Sequence, residues 1–140
     1  MIVDASVLLA AFFPDESQPQ AQALIRDHVA ERVRLTAPDL LLYELTNSVW
    51  VAERRSRIQE VQAEEILSAV TGLDIALEPV AWNLMLDLAR KIGCSAYDAA
   101  YLGLAQAKKE SLITGDLHLY RAASQKLDWV RWIGDYPPGT

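Results

Sequence analysis

Short apolar runs alternate along this chain with longer stretches whose apolar residues fall at helical spacing, and that alternation limits the folds available to it. Residues 1–3, 34–36, 74–80, 111–114 and 129–133 read as strands. Residues 5–13, 17–32, 38–55, 59–71, 81–92, 96–109 and 117–126 between them read as helices. Consecutive strands separated by helices pair in parallel, because a parallel partner needs a long crossover. The expected fold is therefore α/β: a three-layer α/β/α arrangement around a central, mainly parallel sheet of four or five strands. Residues 1–140 are read as a single domain.

Local signals set the expected boundaries. Ser17 is a candidate N-cap, with Pro19 in the first turn that follows. Pro38 is expected to open a long helix whose stripe is Leu41, Leu42, Leu45, Val49 and Ala52. Gly72 and Gly93 are expected helix stops, and Ser95 is the cap of the helix after the second. The tail from 135 to 140 is expected to be irregular.

Composition excludes several classes. With 51% hydrophobic residues among 140, the chain can bury a core. A single cysteine, Cys94, excludes a disulfide framework, and Cys94, His28 and His118 are too few and too scattered for a structural zinc site. No apolar run approaches the ~18 residues a membrane span needs, and no basic n-region opens the chain. No membrane association and a reducing, cytoplasmic setting are expected. A net charge of −6, from 13 basic and 19 acidic residues, argues against unaided coating of nucleic acid.

Ligands of open parallel sheets bind beyond the carboxyl ends of the strands. Acidic residues stand there. Asp4 follows Ile2-Val3, and Asp116 lies two residues past Leu112-Ile113. Asp98 falls in the first turn after Ser95, and Glu44 in the first half of the long helix. An isolated acidic residue is usually a solvated surface charge. Asp4 and Glu44, however, interrupt apolar stretches where an unpartnered charge is costly. Asp98 has a plain alternative as a first-turn carboxylate, and Asp116 as a turn residue. Four converging carboxylates would repel unless a divalent cation joined them. Their all-oxygen chemistry suits Mg²⁺ or Mn²⁺. The chemistry of such a site is metal-assisted attack of water on a phosphodiester.

Four segments carry a resemblance: Val3-Asp4-Ala5-Ser6, Tyr43-Glu44-Leu45-Thr46-Asn47, Ala96-Tyr97-Asp98-Ala99-Ala100-Tyr101-Leu102 with Leu104-Ala105, and Leu112-Ile113-Thr114-Gly115-Asp116. In order and spacing the chain resembles PIN-domain ribonucleases, in the small form of the VapC toxins of VapBC toxin–antitoxin systems. The resemblance implies a PIN-like fold and an acidic site of Asp4, Glu44, Asp98 and Asp116 holding Mg²⁺ or Mn²⁺. It also implies supporting positions at Ser6, Asn47 and Thr114. The implied reaction is endonucleolytic hydrolysis of single-stranded RNA to a 5′-phosphate and a 3′-hydroxyl. The implied partners are the RNA substrate, a cognate antitoxin and a second copy in a homodimer. Gly115, where larger residues are also common, is a departure that predicts a looser loop. A catalytically silent PIN-like interaction module is the rival reading.

Other residues carry blander expectations. His28, His118 and Cys94 read as packing or surface residues. The basic groups Arg54-Arg55 with Arg57, Arg90-Lys91 and Lys108-Lys109 read mainly as complements to helix C-termini, with an RNA-contacting rim as the alternative. Leu40, Tyr43, Trp50 and Val51 exceed the core stripe of their helix, which suggests a partner surface.

Overall fold

A computed structural model describes residues 1–138. Five strands, β1 (Ile2–Val3), β2 (Thr36–Pro38), β3 (Ala76–Glu78), β4 (Leu112–Thr114) and β5 (Val130–Trp132), form one sheet in the order β3-β2-β1-β4-β5. Every pairing is parallel. The helices are α1 (Ala5–Phe12), α2 (Pro19–Val29), α3 (Leu41–Arg54), α4 (Glu60–Thr71), α5 (Trp82–Ile92), α6 (Ala96–Lys108) and α7 (Leu117–Ser124), and a 3-10 turn spans Ile133–Asp135. The result is the expected three-layer α/β/α fold.

The central strands are only two or three residues long, and Ile2, Val3, Leu112 and Ile113 are essentially inaccessible. Strands covered on both faces read as unbroken apolar runs, as these do. Helix α6 packs against β2, β1 and β4. Ala99 through Ala105 are all buried, and four of these seven residues are Ala or Gly, which lets the helix lie close to the sheet. From β1 the chain steps outward through β2 to β3, then returns to the other side of β1 with β4. The direction of winding thus reverses between β1 and β4, and the carboxyl ends of those two strands border the crevice where such sheets bind ligands.

A smaller apolar cluster, Phe13 with Val49, Ala52, Ile58, Ala63 and Ile66, seats the α3–α4 hairpin on the end of α1. Arg57 in the α3–α4 turn closes this junction. It donates to Asp15 at 2.6 and 2.8 Å and to Glu16 at 2.7 Å, with its guanidinium 4.3 Å from the Phe13 ring centre. At the opposite end of the sheet His28 ties three elements together. The Leu35 N–H donates to its Nδ1 at 3.1 Å, so the ring proton sits on Nε2, which donates to the Leu73 carbonyl at 2.7 Å.

Several expected boundaries move. Pro38 closes β2 opposite Glu78 instead of opening α3, and the next N–H, that of Asp39, takes up the Glu78 carbonyl. Gln18, not Ser17, caps α2. Pro19 holds its predecessor in an extended conformation, and Ser17 adopts a left-handed one (φ 38°). Leu42 leaves the α3 stripe and is 39% exposed. Gly93 ends α5 in the left-handed conformation (φ 77°), but Gly72 stays right-handed, and Asp74 makes the left-handed turn (φ 54°). The tail begins in order: Ile133–Asp135 is helical, and the Tyr136 hydroxyl donates to Asp27. Residues 139 and 140 lie outside the described residues.

Candidate active site

The register of β1 against β4 sets Ile2 beside Leu112 and Val3 beside Ile113. Asp4 and Thr114 therefore emerge side by side at the crevice. Thr114 Oγ1 donates to Asp4 Oδ2 at 2.9 Å, and Ser6 Oγ donates to the same oxygen at 2.5 Å. Each hydroxyl is itself fixed by a backbone donor. The Gly115 N–H donates to Ser6 Oγ at 2.9 Å, and the Asp116 N–H to Thr114 Oγ1 at 3.0 Å. A hydroxyl that accepts an N–H must turn its own proton elsewhere, so both protons point to Asp4. Ser6 and Thr114 thus orient Asp4 while its other oxygen makes no side-chain contact of this kind.

Helices α3 and α6 supply the remaining acids. Ser95 caps α6 by accepting from the Asp98 N–H at 3.0 Å, which sets the Asp98 side chain at the start of the helix. Glu44 lies in the first turn of α3, and the hydroxyl of Tyr101 donates to its Oε1 at 2.6 Å. Tyr101 stands three residues after Asp98, so one face of α6 carries both. Sequence reasoning assigned Tyr101 no role. The available signal was a phenol inside the buried run of α6, whose hydroxyl has to find a partner.

These carboxyl groups share one electrostatic environment. Burial pushes Asp4 above the usual carboxylate range, against the pull of its two hydroxyl donors, and the Asp116 charge pushes it further. Glu44 is raised by burial and by Asp4 and Asp98, despite the Tyr101 bond. Asp98 is raised by burial and then by Asp4 and Asp116, while His118 acts weakly in the other direction. The Tyr101 hydroxyl, buried against Glu44, is held protonated well beyond its ordinary range. Asp4, Glu44, Asp98 and Asp116 are therefore brought within each other's field. They are not drawn into a ligand shell: among the described residues no three His, Cys, Asp or Glu side chains form a group ready to hold an ion.

Asp116 has a second task. Its Oδ1 accepts from the Leu119 N–H at 3.1 Å and caps α7, which leaves one oxygen for the crevice. Gly115 does not loosen this loop. Its N–H holds Ser6 Oγ at 2.9 Å, and a Cβ there would be in ordinary contact with Ser6 Oγ at 3.5 Å and tight only against Ile133 at 3.3 Å. Asn47, one helical turn beyond Glu44, lines a cavity of about 630 Å³ that also touches Ser6 and Gly115. Two of the basic candidates are already engaged: Arg57 by Asp15 and Glu16, and Lys108 by Glu78 at 2.8 Å.

Comparison with known proteins gives the family. Residues 1–125 match the PIN domain, and the chain belongs to that family. Within it, the chain is similar to Ribonuclease VapC3 of Pyrobaculum aerophilum, at 32% identity over 85% of this chain and 91% of that protein. It is equally similar to Ribonuclease VapC9 of Mycobacterium tuberculosis, at 32% identity over 85% of this chain and 87% of the other. The crystal structure of PAE2754 from Pyrobaculum aerophilum superposes with a TM-score of 0.71 at 25% identity, over 95% of this chain and 90% of that one. The chain is thus a VapC-like PIN-domain protein.

Proposed function

We propose that this protein is an Mg²⁺- or Mn²⁺-dependent endoribonuclease that hydrolyses single-stranded RNA and serves as the toxin of a type II toxin–antitoxin pair. One observation carries the reading. Asp4, Glu44 and Asp98 are each raised by burial and by neighbouring carboxylates, and among the described residues no Lys or Arg is paired with any of them. Such an arrangement costs stability, and a divalent cation with hard oxygen ligands relieves it. Asp4, Asp98 and Glu44 would hold the ion, with the free oxygen of Asp116 completing the set. When bound, it would lower the pKa of water and stabilise charge developing on a phosphodiester.

The chain's own residues do the positioning. Ser6 and Thr114 hold one oxygen of Asp4 and leave the other for the crevice. Tyr101 holds Glu44 by one oxygen in the same way. The Ser95 cap fixes the first turn of α6 and so the height of Asp98. The relatives named ribonucleases support RNA as the substrate, and the toxin reading rests on their VapC names. Tyr43, Trp50, Trp82 and Tyr97 are each more than half exposed, a surface suited to a second copy and to an antitoxin segment. Among the described residues no helix is long and apolar enough to cross a membrane, in keeping with a cytoplasmic setting.

The test is cleavage of linear and circular single-stranded RNA by purified protein with Mg²⁺ or Mn²⁺, with EDTA, and by the Asp98→Asn variant. Metal-dependent cutting of both substrates that is lost in the variant is the expected result. Cutting that survives EDTA would overturn the metal reading, and a resistant circle the endonucleolytic one. A protein inert under every condition would match the silent interaction module.

A further inference from the structure

The cavity beside the acidic crevice has walls that a phosphate-binding site would not have. Helix α3 forms one side, where Glu44, Asn47, Ser48 and Val51 follow one another at helical spacing. Glu44 belongs to the acidic site and the other three line the cavity, so the helix leads from one to the other. Ser6 and Gly115, which position Asp4, form the boundary between the two. The charged lining residues are Glu16 and Arg57, and Arg57 is already engaged by Glu16 at 2.7 Å and by Asp15 at 2.6 and 2.8 Å. What remains is hydroxyl, amide and apolar: Ser6 and Ser48 are hydroxyls, Gln18 and Asn47 each offer a donor and an acceptor, and Trp132 is an aromatic lining residue.

That ring is set in place by the sequence Trp132-Ile133-Gly134. A Cβ at Gly134 would overlap the indole Nε1 and stand 2.8 Å from Cδ1, so the ring has its place only because residue 134 has no side chain. Tyr120 packs on it at 5.7 Å between ring centres and a tilt of 46°. The indole is thus fixed and half-buried at the cavity edge.

From this geometry we propose that the cavity is a nucleobase slot. It takes the base of a nucleotide next to the phosphodiester held at the carboxylates, and Trp132 stacks on that base while Asn47 and Gln18 read its edge. The inference rests on the nuclease reading and deepens it. A neutral, planar heterocycle with donors and acceptors on its rim fits a largely apolar cavity with amide groups in its wall, whereas a phosphate would meet an Arg57 already held by two carboxylates. Helix continuity makes the two sites neighbours, as a base and its own phosphate are.

Two measurements test it. The first needs no cleavage. Uncharged adenosine, guanosine, cytidine and uridine are titrated in EDTA while the Trp132 indole N–H resonance, assigned by its absence in Trp132→Leu, is followed by NMR. At least one nucleoside should shift it saturably, ribose alone should not, and Gly134→Ala should abolish the response by displacing the ring. No response to any nucleoside overturns the slot.

The second reads cut sites in a random-sequence single-stranded RNA pool. Trp132→Leu should lower kcat/KM about tenfold and flatten the base preference at one position beside the cut. An abasic nucleotide at that position should cost the parent a similar factor and Trp132→Leu nothing more. An unchanged preference in a folded Trp132→Leu overturns the proposal. So does a variant that keeps its preference but escapes inhibition by the neighbouring-gene antitoxin, since the cavity would then belong to a protein partner. RNA cutting without a nucleoside response sinks the slot alone, whereas a nucleoside response without cutting sinks the nuclease reading alone.

Discussion

Two groups of acids sit on either side of α1 and behave in opposite ways. Asp15 and Glu16, just beyond its C-terminal end, meet Arg57 in an exposed clamp, and the guanidinium holds Asp15 below the usual carboxylate range. Asp4, at its N-terminal end, meets the Ser6 and Thr114 hydroxyls and the Ala5 N–H and lies in the field of Asp116, and burial drives it upward. The first group is complete as folded. The second is buried against its own repulsion, and the proposed metal site rests on that contrast. Acid residues alone are not distinctive; burial beside other carboxylates is what sets Asp4, Glu44 and Asp98 apart from Asp15.

The largest effect expected from this contrast is on chemistry. Asp4→Asn keeps the neutral acceptor that Ser6 and Thr114 need but removes the charge, and RNA cleavage should fall by at least about 100-fold. A gel assay on single-stranded RNA with Mn²⁺ measures it. Activity close to that of the parent would put Asp4 in the same structural category as Asp15.

Metal should separate the two groups next. Added Mg²⁺ or Mn²⁺ at about 100 times its dissociation constant should stabilise the parent by about 2.7 kcal/mol, several degrees in Tm. Asp4→Asn should lose most of that gain, and Arg57→Ala should keep it. Scanning calorimetry or a dye-based melt reads the difference. Equal gains in all three proteins would mean that the ion binds elsewhere.

Tyr101→Phe sharpens the same comparison at Glu44. It keeps the buried ring and removes one hydroxyl, so the fold should persist. Cleavage should fall about tenfold and more Mn²⁺ should be needed for half-maximal rate, because Glu44 loses the bond that orients it. A purely packing role for Tyr101 would lower Tm and leave the Mn²⁺ requirement unmoved.

Much of this was legible in the sequence, for a physical reason. The strand–helix alternation specified a parallel sheet, and four acids at strand ends and helix starts specified where to look. Thr114 follows from the register of β4 against β1, and Ser6 from its place in the first turn of α1, two residues after Asp4. What could not be read depends on three-dimensional packing. Tyr101 looks like one more core aromatic until α3 is seen beside α6. Gly115 suggests slack until its N–H is found on Ser6 Oγ. Arg57 looks like part of a basic rim until Asp15 and Glu16, some forty residues earlier, are found against it. Pro38 is an ordinary helix opener in a linear reading, and only its pairing opposite Glu78 makes it the end of a strand.

The smallest expected effect, and the one with opposite signs at the two groups, is on stability as pH changes without metal. Asp4, Glu44 and Asp98 are raised in the folded state, so their protonated forms favour folding. That contribution is present at acid pH and lost as pH rises through their raised values. Asp15 is lowered, so its contribution is present above its unfolded value and lost as pH falls through the folded one. In EDTA, Asp4→Asn should therefore melt above the parent at pH 7, with the gap closing toward pH 4. Arg57→Ala should melt slightly below the parent at pH 7, less so in high salt, with its gap also closing as Asp15 protonates. Melting curves of the three proteins across that range decide the matter. If Asp4→Asn melts below the parent at neutral pH, Asp4 is satisfied by its hydroxyls alone, and the distinction between the two acid groups is lost.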